Sequence, residues 1–178
     1  MSYSWIVGLS FKSGTATTTG TYQNGWGSAP IVWDAVYDKY CGGSRYGYMQ
    51  DLESLWPLYK DERMASCERA VLLFTYDKLF VNDSNLNRMA DHIEEFLVLH
   101  PPKEGHVNHW QAIADSMRDA VGKFDAIGLN PTSVGGCHYR GDWNDDLEDF
   151  EPVNYLDKEL FEEVYVVLDE VENGKEDT

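Results

Sequence analysis

The side chains with chemical potential fall into four small groups. His106-Val107-Asn108-His109 sets two imidazoles three residues apart, which on a helix would share a face and suit a metal given a third ligand. Gly105 before them reads as a helix start, and no Cys-x-x-Cys or His-Glu-x-x-His pattern completes a site. Cys137-His138 is a nucleophile and a base in type, with Asp142 nearby. Neighbours in extended chain point to opposite sides, however, so the thiol would need a distant histidine. Asp142, Asn144 and Asp146 open like a calcium loop, but Leu147 stands where the turn glycine belongs and Val153 where the bidentate glutamate belongs. Gly25-Trp26-Gly27 ahead of Ser28 would present free amides to an anion, or would be a tight turn feeding a helix. Phosphate-loop, dinucleotide-turn and nucleophile-elbow patterns do not occur. No metal, cofactor or catalytic residue is expected from these groups. An enzyme built on the Asn130–Asp146 loop, using Cys137, His138 and Asp142, stays as an alternative to a binding protein.

The acids carry more information. The chain has a net charge of −17. Residues 1–141 hold 16 acids and 12 bases, whereas residues 142–178 hold 15 acids against Lys158 and Lys175, so −13 of the −17 lies in the last fifth. Such a chain repels nucleic acid and anionic membranes and favours partners with basic surfaces. Residues 154–172 are expected to form an amphipathic helix, with Leu156, Leu160, Val164, Val167 and Val171 inside an arc of about 80°. Asp157, Glu159, Glu162, Glu163, Asp169, Glu170 and Glu172 then spread over the rest as a carboxylate wall. On one helix they would recur every ~3.4 Å on average, close to the phosphate spacing along one DNA strand. A strand over Val164 to Leu168 is the competing reading, and would divide these acids between two faces.

Two binding functions follow. In the first, an acidic arm of residues 142–178 occupies the basic groove of a nucleic-acid-binding enzyme or complex, as a DNA or RNA mimic. The contacting residues would be Asp142, Trp143, Asp145, Asp146, Glu148, Asp149, Phe150, Glu151, Asp157, Glu159, Glu162, Glu163, Asp169 and Glu170. By charge and size alone this is the manner of small inhibitors that phages and plasmids use against host defence. In the second, the chain is an adaptor or assembly factor anchored by Trp143, Phe150, Tyr155, Phe161 and Tyr165, the acids only steering.

The elements that would position these residues read as one α+β domain. Its 178 residues, 43% hydrophobic with six Trp, eleven Tyr and seven Phe, suffice for a core. The longest apolar run, Ala70 to Phe74, is too short to span a membrane, and the first residues lack a signal-peptide pattern. Cys41, Cys67 and Cys137, odd in number and scattered, read as small buried side chains in a reducing, cytoplasmic setting. Tyr3, Trp5, Val7, Leu9 and Phe11 alternate as a strand with one buried face, and a Lys12-Ser13-Gly14 turn leads to Thr15–Tyr22 as its hairpin partner. Ser28 should cap a helix carrying Val32, Val36 and Tyr40, closed by Gly42-Gly43. Trp56-Pro57 interrupts the stretch after it. The segment Arg69–Val81 is either a buried strand or a short helix running into one. A helix capped by Asp83 or Ser84 should bury Leu86, Met89, Ala90, Ile93, Phe96 and Leu97. A second should bury Trp110, Ile113, Ala114, Met117 and Val121 and stop at Gly122 or Gly128. The expected fold is an N-terminal antiparallel hairpin or small sheet packed with three to four amphipathic helices, followed by the acidic arm.

Overall fold

The structure, a computed structural model, describes residues 3–23, 27–43, 54–76, 78–130, 143–150 and 161–173. Tyr3–Ser10 (β1) and Thr15–Gln23 (β2) form the N-terminal hairpin. Gly14 takes the left-handed conformation its turn requires, with φ +64°, and the Ser13 hydroxyl bonds Ser10 O and Thr15 Oγ1. Arg69–Val81 resolves as a helix, Ser66–Phe74 (α2), running into a strand, Leu79–Asn82 (β3). Thr75 marks the boundary: its hydroxyl donates to Leu72 O and accepts from Trp33 Nε1, closing the helix with a buried polar pair.

Ala126–Asn130 (β4) pairs antiparallel with both β1 and β3. Trp143–Asn144 (β5) and Asp149–Phe150 (β6) form a separate antiparallel ladder. Glu162–Glu163 (β7) joins β3 in parallel, so the main sheet runs β2-β1-β4-β3-β7. The sheet thus extends the expected hairpin by one strand from 79–82 and two from later in the chain.

Which face of β1 meets the helices is not what its alternation suggests. Ile6, flanked on its own face by small Ser4 and Gly8, enters the main core with Val81, Ile127 and Leu129. Val7 and Leu9 belong to a second cluster with Ala126, against which Trp5, Phe11 and Phe80 pack. Small residues are needed on the inner face because other rings come close: a Cβ on Gly8 would lie 2.5 Å from the Phe124 ring.

The main core is filled by Ala29–Tyr40 (α1), α2, Leu86–Leu99 (α3) and Trp110–Ala120 (α4). The expected stripes of α3 and α4 are buried, except that Leu97 is partly buried and Val121 lies past the end of α4 and is exposed. Gly122, with φ +73°, follows it. Capping differs from expectation at two helices. Ser28 occupies the N-cap of α1, but its hydroxyl pairs with Ser4 Oγ (2.6 Å) instead of a helical amide. Before α3, Asn82 caps a 3-10 turn over Asp83–Asn85, its side chain accepting from the Asn85 amide, while Asn85 at the N-cap of α3 makes no side-chain cap bond.

The C-terminal helix starts later than expected. Val164–Asn173 (α5) is helical, which excludes a strand over 164–168, but residues 162 and 163 are extended because they pair with β3. The part of the expected 154–172 helix over residues 154–160 lies outside the described residues. Val164, Tyr165 and Leu168 are fully part of the main core, so residues 161–173 are an integral layer of the fold, joined by a strand and a helix. Among the described residues no helix is long and apolar enough to cross a membrane.

Candidate functional site

Eight acids that are at least partly exposed lie on three neighbouring helices. α3 packs on α4, and Arg118 of α4 bridges Asp91 (3.0 Å) and Glu94 (2.7 Å) of α3. On the other flank of α3, the Tyr165 hydroxyl of α5 reaches His92 Nδ1 (3.1 Å) and Met89 Sδ. α3 therefore lies between α4 and the Tyr165 side chain of α5, while α5 itself packs on α2 and β3. Burial pushes the pKa of His92 down, and the charge of Arg88 adds to this, against the opposing pull of Glu95, Asp91 and Glu172. Asp115, Asp119, Asp91, Glu94, Glu95, Asp169, Glu170 and Glu172 are the acids of these helices, and Arg88 and Arg118 are their only Lys or Arg. Arg88 is partly occupied over the Tyr165 ring, 4.0 Å from its centre. All eight carboxylates are at least partly exposed.

The acids predicted to form the arm separate on this frame. Glu162, Asp169 and Glu170 are exposed. Glu163 points inward, because successive strand residues face opposite sides. It is 8% exposed, accepts from the Val166 amide (2.8 Å) at the start of α5 and from Asn85 Nδ2 (3.2 Å), and so caps a helix instead of joining a wall. The regular carboxylate spacing along one helix from 157 to 172 is lost, since extended chain interrupts it at 162 and 163. Asp145, Asp146 and Glu148 are exposed in the turn joining β5 to β6. Trp143, Asp149 and Phe150 lie on those two strands. Asp142, Glu151, Asp157 and Glu159 lie outside the described residues, as do Tyr155, Cys137 and His138.

Several alternative chemistries change meaning. Phe161 (8% exposed) and Tyr165 (1%) are buried in the chain's own core, so they are not anchors for an adaptor. Asn144 Oδ1 accepts from the Asp146 and Leu147 amides, the arrangement of a tight turn, where a calcium loop would need that oxygen for the ion. His106 and His109 precede α4 instead of sharing a helical face. The His109 ring rests on Tyr22, 4.9 Å between centres, and a Cβ on Gly27 would lie 2.6 Å from it. Gly27 thus serves close packing. Among the described residues no group of three His, Cys, Asp or Glu could hold a metal. Cys67 is buried as expected, whereas Cys41, at the end of α1, is exposed.

One cluster had no counterpart in the sequence reading. Glu68, fully buried in α2, accepts from Lys39 Nζ (2.8 Å), Tyr40 Oη (2.5 Å), His100 Nε2 (2.7 Å) and the Ala65 amide (3.0 Å). Burial pushes its pKa up, but these donors outweigh it and hold the carboxyl at about 2. The ionised carboxylate only accepts, so His100 Nε2 carries its hydrogen. Glu68 thereby ties α1 to α2 and to the end of α3. Lys39 and His100 also line a cleft of about 970 Å³ between α1 and residues 99–108, where Asp34, Asp38 and Lys103 balance its charge. The one sequence signal was a Glu68-Arg69 pair placed directly before the apolar run of α2. No protein-family model, curated protein or solved structure matches this chain.

Proposed function

We propose that this protein is an acidic binding protein whose α4-α3-α5 face occupies the basic groove of a nucleic-acid-binding enzyme or complex, mimicking DNA or RNA. The observation that carries the reading is that three neighbouring helices carry eight carboxylates at least partly exposed, against two arginines of their own and Arg69 of α2, which pairs with Glu172. A rigid layer of fixed negative charge steers a basic partner, and meeting it releases counterions as nucleic acid does. An inhibitor of host defence carried by a phage or plasmid is the biological setting this chemistry would serve.

Deleting residues 142–178 is not a clean test, because it removes β7 and the core residues Val164, Tyr165 and Leu168. The better test reverses exposed charge and leaves the fold intact. Full-length protein and an Asp91→Lys/Glu95→Lys/Glu170→Lys variant are used to capture partners from a lysate at about 0.1 M and about 0.5 M salt, a range over which the screening length falls roughly twofold. A DNA- or RNA-binding protein retained only by the unaltered chain at low salt supports the proposal. Equal capture by the variant, or retention at high salt, removes it.

A further inference from the structure

We propose that the free edge of β2 pairs antiparallel with the same edge of a second copy, joining two five-stranded sheets across a two-fold axis. Among the described residues, β2 is the outermost strand of the sheet and its one strand partner is β1. It is nine residues long, about 30 Å at ~3.3 Å per residue. Thr15 to Thr19 and Thr21 are all exposed. On an edge strand, every second residue aims its amide and carbonyl away from the sheet, ready to bond another strand.

The two edges of the sheet are built differently. β7 is two residues long, both of them glutamates, and turns at once into α5. Short length, charge and a covering helix are the usual protections against strand addition. β2 has no charged residue and no proline. Its one irregularity is a register shift opposite Ile6 and Val7, which leaves Thr15–Thr18 and Gly20–Gln23 each in regular pairing.

Charge selects the second copy as the occupant. Two molecules of net charge −17 repel over most of their surfaces. Along β2 they would meet neutral threonine with neutral threonine, and cross-strand Thr–Thr pairs are favourable. A basic strand from another protein would find no acid on β2. Pairing like with like also closes after two copies.

This proposal does not depend on the acidic face, and its salt dependence has the opposite sign. Salt screens repulsion between two acidic copies, so dimerisation should strengthen, by severalfold between about 0.05 M and about 0.5 M, while capture of a basic partner weakens. The test is sedimentation equilibrium of the full chain from about 1 to about 300 μM at both salts. It is combined with amide hydrogen exchange over residues 15–23 and with a Thr17→Lys/Thr18→Lys variant. Both threonines are exposed, one on each face of the strand, so the variant should fold. Lysine makes the chain less acidic, so a general charge effect would promote association, whereas a guarded edge should weaken it at least ~10-fold. Lysines at Gln111 and Ala112, exposed on α4, add the same charge elsewhere and should not weaken it. A monomer under all conditions overturns the proposal. So does a dimer without added protection at 15–23, or one that the β2 lysines leave unchanged.

Discussion

Glu68 and the outer side of α3 and α5 present the same carboxylate chemistry in opposite settings. At the Glu68 junction one buried carboxylate meets four donors and joins three helices. On the α4-α3-α5 face, eight carboxylates are at least partly exposed, of which Asp91 and Glu94 pair with Arg118 and Glu172 pairs with Arg69 of α2. The buried one holds the chain together, and removing it leaves its donors without their common acceptor. The outer ones contribute little to folding, and those without an arginine beside them oppose one another. Net charge therefore does not by itself identify a binding surface. What matters is which carboxylates the fold has already paired.

The largest expected effect breaks the inner region. Glu68→Ala should destabilise by about 3 kcal/mol in urea denaturation at pH 7, near the low end for a broken buried pair because Lys39 can turn to water. Next comes the outer region. Asp91→Lys/Glu95→Lys/Glu170→Lys should weaken partner binding by about 100-fold while each substitution changes stability by less than about 0.5 kcal/mol. Binding and denaturation measured on the same preparation distinguish the two. Between these classes lies Glu163, an acid of the C-terminal segment that faces inward. Glu163→Ala should cost about 1 kcal/mol through the lost cap of α5 and leave partner affinity within about twofold.

Acid titration sharpens the contrast further. The Glu68 carboxyl is held at about 2, below its ordinary 4.5. A depressed carboxylate stabilises the fold fully above its unfolded pKa and loses that contribution as pH falls through the folded value. The unaltered chain should therefore lose stability more steeply than Glu68→Gln between about pH 4.5 and about pH 2. Parallel curves for the two proteins would show that the junction does not store this energy. The smallest effect belongs to the outer face: raising salt from about 0.05 M to about 0.5 M should raise the unfolding midpoint slightly as repulsion is screened.

The same contrast explains what could be read from the sequence. The stripes of α3 and α4 and the β1-β2 hairpin were legible because local periodicity makes them. The start of α5 was not, because β7 exists only through pairing with β3, more than 80 residues earlier in the chain. The Glu68 junction was hidden for a similar reason, since Lys39, Tyr40 and His100 lie 28 to 32 residues from Glu68. The count of acids near the C-terminus was plain, but their neighbours were not. Asp91, Glu95, Asp115 and Asp119 lie in a stretch whose overall charge looks nearly balanced, and the packing of α4 on α3, with Tyr165 of α5 on the other flank of α3, makes them part of the same face. The α+β class survives such errors because it depends on the type of each element more than on its ends.

Competition by nucleic acid tests the central claim most directly. A partner captured on the immobilised full chain at about 0.1 M salt would be challenged with duplex DNA or RNA and with the Asp91→Lys/Glu95→Lys/Glu170→Lys variant. The account predicts that the nucleic acid the partner normally binds displaces it in proportion to concentration, and that the variant does not compete. A partner that binds this protein and its nucleic acid together, or that the charge-reversed variant displaces as well as the unaltered chain does, would contradict it.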